Sequence, residues 1–254
     1  MKKTLFFAAA LLSLAACNKA VIDSQMAGEG SLSFSLNADD VLVSTKATVG
    51  AEELANYNVI LIPTQDGQTG WTKTYADVIG QTFVMSAGTY KVYAENITAQ
   101  AAETGNGALR VAAPEQNVTV TANQTGTATL NCVAKSSKIV VEYTTDFTDV
   151  FETYSFSVSK LDGSKRADGA ESLSLTHGVP AYYNGSVTLK YTLTGTHKHN
   201  GSKTLGGTID LTEGHSLKVV VNQSSASGGL GITITANDEL IADEDQNVTI
   251  DPYL

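Results

Sequence analysis

The chain is 254 residues long and carries 16 Lys and Arg against 26 Asp and Glu, a formal net charge of −10. So acidic a surface is repelled by nucleic acid and by anionic lipid headgroups, which excludes both as docking partners of the bare protein. Only two cysteines are present, too few for a disulfide framework once the first is accounted for below.

Met1-Lys2-Lys3 begins a basic start, an apolar run through Leu5–Leu12 follows, and Leu14-Ala15-Ala16-Cys17 closes it. The apolar run is too short to span a bilayer and ends in the small residues of a cleaved export signal. Because it ends on cysteine, it resembles a bacterial lipobox, in which the thiol is acylated and the chain cut just before it. Residues 1–16 are therefore expected to be a lipoprotein signal peptide, Cys17 the lipidation site and 17–28 a polar tether. Asn18 is not the aspartate that retains lipoproteins at the inner membrane, so the expected location is the outer membrane, lipid-anchored, at the cell surface. Several acyl chains on Cys17 make a stable anchor at about 0.8 kcal/mol per buried methylene.

From there the dominant signal is alternation of period two. Leu32, Phe34 and Leu36 alternate with serines, Val59 and Leu61 follow, and Tyr90, Val92 and Ala94 alternate with Thr89, Lys91 and Tyr93. The habit continues through Val118 and Val120, Ile139 and Val141, Phe156 and Val158, Leu173 and Leu175, and Leu189, Tyr191 and Leu193. Leu217, Val219 and Val221, then Ile232 and Ile234, and finally Val248 and Ile250 complete it. Short strands with one apolar face, punctuated by Gly, Asn and Asp, predict antiparallel β-sandwiches. Helix signals are confined to Gly50–Asn56 and to Asp146–Phe151, where Asp146 is the expected cap. A polar step at Ala134-Lys135-Ser136-Ser137 separates two strand runs and divides the chain into 29–134 and 135–254. Two domains of roughly 100–120 residues can each bury a core.

No constellation of catalytic residues stands out, and the chain is read as a non-enzyme that needs no cofactor. Cys132 alternates with Leu130 and Ala134 and is expected to be a buried core thiol. His197 and His199, two apart, could share a strand face and form a metal pair, with Glu213 or His215 from a neighbouring strand. Gly195, Asn200 and Gly201 instead favour a turn with loose histidines. The acidic run Asp243-Glu244-Asp245 with Asp238 and Glu239 lacks the spacing of an EF-hand and reads as a solvated turn. Trp71 and the pair Tyr182-Tyr183 are the candidate stacking residues for a sugar ligand, set against ordinary strand packing.

Ser86-Ala87-Gly88-Thr89-Tyr90-Lys91-Val92-Tyr93-Ala94 resembles the characteristic strand of transthyretin-like bacterial sandwiches. With Lys46-Ala47 after the first strand, Asn96-Ile97-Thr98, Asn131-Cys132, the Phe147–Phe151 turn and the lipobox, the chain resembles fimbrillin-like lipoproteins of Gram-negative gut anaerobes, many labelled only as domains of unknown function. The resemblance implies an all-β fold of two tandem transthyretin- or immunoglobulin-like β-sandwich domains. It also implies a fimbrillin-like adhesin, pilus subunit or pilus anchor whose partners are the outer membrane, like subunits and host or glycan ligands. In that family a basic residue in the first loop is cleaved, the leading strand leaves, and a strand of the next subunit takes its place. The matching position is Lys46, with Ala47 as the new N-terminus, although the family's processing protease is usually associated with arginine. A glycan-binding surface lipoprotein is the alternative reading.

Overall fold

The computed structural model describes residues 28–38 and 54–223 in full, and the backbone of 230–237 and 246–250. Cys17, Lys46, Ala47 and the acidic stretch from Asp238 to Asp245 lie outside the described residues.

The fold is all-β. The first half holds β1 (Glu29–Asn37), β2 (Asn58–Pro63), β3 (Trp71–Thr74), helix α1 (Tyr75–Val78), β4 (Phe83–Ser86), β5 (Gly88–Glu95), β6 (Val111–Val120), β7 (Thr125–Asn131) and β8 (Val133–Ala134). The second holds β9 (Ser136–Tyr143), helix α2 (Thr145–Val150), β10 (Phe151–Lys160), β11 (Leu173–Leu175), β12 (Ala181–Asn184), β13 (Val187–His197), β14 (Gly201–Leu211), β15 (Ser216–Gln223), β16 (Leu230–Asn237) and β17 (Gln246–Ile250).

Sheet order exposes an internal repeat. The first half pairs its strands as β4-β1-β7 and β3-β2-β5-β6-β8, and the second as β12-β9-β15-β16-β17 and β11-β10-β13-β14. Adding eight to each strand number of β4-β1-β7 and β3-β2-β5-β6 yields the matching order in the second half. In both halves the first strand pairs in parallel with the seventh, β1 with β7 and β9 with β15. This corrects the expectation of purely antiparallel sandwiches. Period two specifies which face of a strand is apolar, but it does not specify the direction of the neighbour.

Each half has its own apolar cluster. One contains Leu32, Phe34, Leu36, Val59, Leu61, Tyr90, Val92, Ala94, Leu130 and Cys132, drawn from both sheets of the first half. The other gathers Ile139, Val141, Phe147, Phe156, Val158, Leu189, Leu193 and Val219. Two facing sheets that each contribute one side of a core make a β-sandwich. The alternation predicted for β5 appears as inward Tyr90, Val92 and Ala94, all fully buried. Gly88 begins that strand at φ 148°, a backbone conformation that side-chain-bearing residues rarely adopt, so the position favours glycine.

Helix content differs from the expectation in two places. The N-cap of α2 is Thr144, and Asp146 sits in the first turn, where a side-chain hydrogen bond with Thr144 holds its carboxyl below the ordinary range. Helix α1 was not legible, because four residues are too few to show a helical period. No helix among the described residues is long and apolar enough to cross a membrane.

Candidate functional site

Strand β1 is the middle strand of its sheet. It runs antiparallel to β4 from Glu29↔Ser86 to Leu32↔Phe83, and parallel to β7 from Ser31↔Thr125 to Asn37↔Asn131. Leu32, Phe34 and Leu36 point inward and are 1%, 5% and 8% exposed. Fully burying side chains of this size contributes about 1.5–3 kcal/mol each. On the other face Ser33 meets Thr127, hydroxyl to hydroxyl at 2.9 Å. Beyond Leu32, β4 has ended, and the Tyr75 hydroxyl accepts the buried N–H of Leu36 at 3.2 Å. Take β1 away and two strand edges and an apolar trough remain, which is the geometry that strand addition requires.

Trp71 belongs to this seat. Its indole lies edge-on to Phe34 with centroids 5.3 Å apart and tilted against Phe83 at 5.1 Å. Half-buried against the core, it packs on the first strand and is not presented as a stacking platform for a sugar. Tyr183 is fully buried, and its ring packs inside the fold. The Arg166 guanidinium sits 4.6 Å from its ring centroid, and burial pushes its phenol above the ordinary range, an effect Arg166 partly offsets. Tyr182 is half-buried, and its backbone N–H donates to Asn106 at 2.8 Å.

Arg166 and Tyr183 are part of a polar junction between the two halves that sequence reasoning missed. Arg166 Nη2 donates to the carbonyls of Glu103 and Gly105 at 2.7 and 2.6 Å. The Glu103 carboxylate, 5% exposed, accepts from Lys160 Nζ, from Ala167 N at 3.2 Å and from Asn184 N at 3.0 Å. Gly105 N in turn donates to Asp168 at 3.0 Å. Partners some 60 to 80 positions apart leave no local pattern.

His197 and His199 are brought close, with centroids 6.0 Å apart. His197 Nδ1 accepts the backbone N–H of His199 at 3.0 Å and of Asn200 at 3.2 Å, so the ring closes the β13–β14 turn. Its other side meets Phe151 edge-to-face at 5.2 Å. Glu213 and His215 follow β14, at the opposite end of an eleven-residue hairpin and roughly 30 Å away. Among the described residues no group of three or more His, Cys, Asp or Glu could hold a metal. Cys132 is 2% exposed, and burial raises its thiol to about 11.

A third arrangement lies on the outer face of the first half, beside the junction. Arg110 donates from Nε and Nη2 to Glu95 Oε2 at 3.1 and 2.8 Å, and from Nη1 to Asn184 Oδ1 at 3.0 Å. Glu95 is 8% exposed and shares its face of β5 with Tyr93, which the alternation had marked only as outward-facing.

The family described as Domain of unknown function (DUF4493) matches residues 28–252. Among solved structures the chain is similar to the fimbrial anchor protein Mfa2 from Porphyromonas gingivalis, at 16% identity and a TM-score of 0.47, over 83% of this chain and 98% of that one. It is also similar to a fimbrial assembly protein from Parabacteroides distasonis, at 13% identity and a TM-score of 0.43, over 87% of this chain and 98% of that one. No curated protein matches.

Proposed function

The chain belongs to the family described as Domain of unknown function (DUF4493), and from that premise we propose that it is a non-enzymatic, fimbrillin-like surface lipoprotein. It acts as an adhesin, pilus subunit or pilus anchor through strand edges and loops, held at the outer membrane by acylated Cys17. Residues 29–134 and 135–254 are its two tandem domains, a division supported by the separate cores and the repeated strand order.

The observation that carries the reading is the position of β1. A strand at the N-terminal end of the mature chain fills the centre of a sheet, and Lys46 follows it in sequence. Cleavage after Lys46 would cut the covalent link between β1 and everything that holds it. The strand would then be retained by two ladders, three apolar side chains and the contacts with Tyr75 and Thr127, with no covalent link, and an incoming strand of like pattern can replace the ladders and the apolar contacts. That exchange makes no demand on catalytic groups.

The test is an immunoblot of native outer-membrane fractions, run unboiled and boiled. An SDS-resistant ladder that collapses on boiling to a band beginning at Ala47 is the expected result for a polymerising subunit. A single lipidated band of full mature length excludes strand exchange and restricts the protein to an anchor or monomeric adhesin.

A further inference from the structure

We propose that the groove over β2, β5 and β6, at the junction of the two halves, is a binding site for a neutral saccharide. The groove is an open one of about 420 Å³, within the range of roughly 300–1,000 Å³ usual for small-ligand sites. Tyr93, Ile62 and Pro114 form an apolar wall, and Glu95, Arg110 and Lys135 bring polar groups to it. An aromatic ring beside fixed planar hydrogen-bonding groups suits a sugar, which presents an apolar C–H face and a rim of hydroxyls.

Charge compensation selects the class of sugar. Arg110 is paired with Glu95 at 2.8 Å, Lys135 with Glu213 at 2.6 Å, and the lining residue Glu115 with Lys91 at 2.8 Å. Every charged group of the groove therefore already has a counter-charge. With Arg110 and Glu95 neutralising each other, an anionic or a cationic ligand would be desolvated for little net Coulombic gain. A neutral polyol carries no charge to desolvate.

Hydrogen-bonding capacity nevertheless remains. The guanidinium carries five N–H groups, and the contacts to Glu95 and Asn184 occupy three. Both contacts to Glu95 go to Oε2, so Oε1 remains an acceptor. These groups are also fixed in advance. Asn184, which braces Arg110, is held by its own N–H on Glu103. A donor and an acceptor locked side by side, with little side-chain entropy left to lose, match a pair of vicinal hydroxyls.

The inference deepens the adhesin reading and rests on it for its biological setting, but its test involves neither β1 nor Lys46. The full mature chain in detergent is applied to a printed array of oligosaccharides in four groups: neutral mucin-type, neutral plant and yeast, sialylated, and sulfated. Binding to either neutral group is expected, and which of the two binds tells a host source from a dietary one. Calorimetry against the strongest neutral binder then compares variants. Tyr93→Ala should weaken binding about tenfold or more, Tyr93→Phe should retain it, and Arg110→Lys, which keeps the charge and loses the fork, should weaken it with the fold intact by near-UV circular dichroism. Silence of both neutral groups, preference for sialylated or sulfated glycans, or full affinity in Tyr93→Ala overturns the proposal. None of these results bears on the strand-exchange ladder, so the two readings fail separately.

Discussion

Lys160 Nζ lies 3.2 and 3.0 Å from the two carboxylate oxygens of Glu103, which ties a β10 lysine in the second half to a 3₁₀ turn of the first. Around that pair the second half supplies two backbone N–H donors to the carboxylate, from Ala167 and Asn184, and Arg166 to the carbonyls beside it. A buried carboxylate is tolerated because its acceptor sites are filled by donors that come from elsewhere in the chain. The two halves are joined by a specific polar contact, and the Glu95–Arg110–Asn184 chain beside it extends the joint to the outer face.

Glu103→Ala should cost about 3–5 kcal/mol, because it leaves Lys160 without its partner at a side-chain exposure of 16% and removes the acceptor of two part-buried bonds, from the N–H groups of Ala167 and Asn184. Chemical denaturation of the mature chain measures it. Loss of the junction should also split one cooperative transition into two. A single transition with an unchanged midpoint would mean that the sandwiches are held together by something other than Glu103.

Much of this fold could be read from the chain because alternation survives in the strands that form each core. Leu32, Phe34 and Leu36 mark β1, and Phe156 and Val158 mark β10, since a half-buried strand must place every second side chain inward. Cys132 was legible as a core thiol for the same reason. The junction was not, because Glu103, Lys160 and Arg166 meet only through tertiary folding, and each on its own reads as an ordinary surface charge. Trp71 and Tyr183 left two options open in the sequence, ligand stacking or strand packing, for a related reason. An aromatic ring signals large buried area wherever it falls, and only its neighbours decide whether the area is covered by Phe34 and Arg166 or left for a ligand.

Alkaline pH should destabilise the protein through its buried thiol. Burial raises the Cys132 thiol from 9.0 to about 11, so between those values the unfolded chain ionises while the folded one stays protonated. Stability is therefore fully present below pH 9 and falls by about 2–3 kcal/mol as pH rises to 11. Tyr143, raised from 10.0 to about 12 by burial and then by Tyr154, extends the decline. Denaturation midpoints from pH 8 to 11 test this, and Cys132→Ala should flatten the first part of the curve. A slope identical in that variant would assign the loss to other groups.

His197 should behave as a turn clamp. Its Nδ1 is engaged by two backbone N–H groups, so His197→Ala should cost about 1–3 kcal/mol while His199→Ala stays within about 0.5 kcal/mol. Zinc added to the metal-free protein should leave its melting temperature unchanged. A zinc-dependent rise abolished by either substitution would restore the pair as ligands.

Trp71 is the sole tryptophan and rests edge-on against Phe34, so its fluorescence reports directly on whether β1 is in place. Phe34→Ala opens a cavity under the indole and should cost about 3–5 kcal/mol, with a partial red shift and easier acrylamide quenching in the uncleaved chain. Brief digestion of the native protein with a lysine-specific protease, with N-terminal sequencing to select the product beginning at Ala47, isolates the effect of cutting the link. If the strand departs, the indole loses Phe34 and meets water, and emission shifts further to the red than in Phe34→Ala. An added peptide of sequence Glu29–Asn37 should then restore the original spectrum, because it carries the same three inward side chains in the same register. Unchanged emission from a verified Ala47 product would show that the nicked strand stays seated. Exchange would then lack the vacancy it requires, and the pilus-subunit reading would fail at that step.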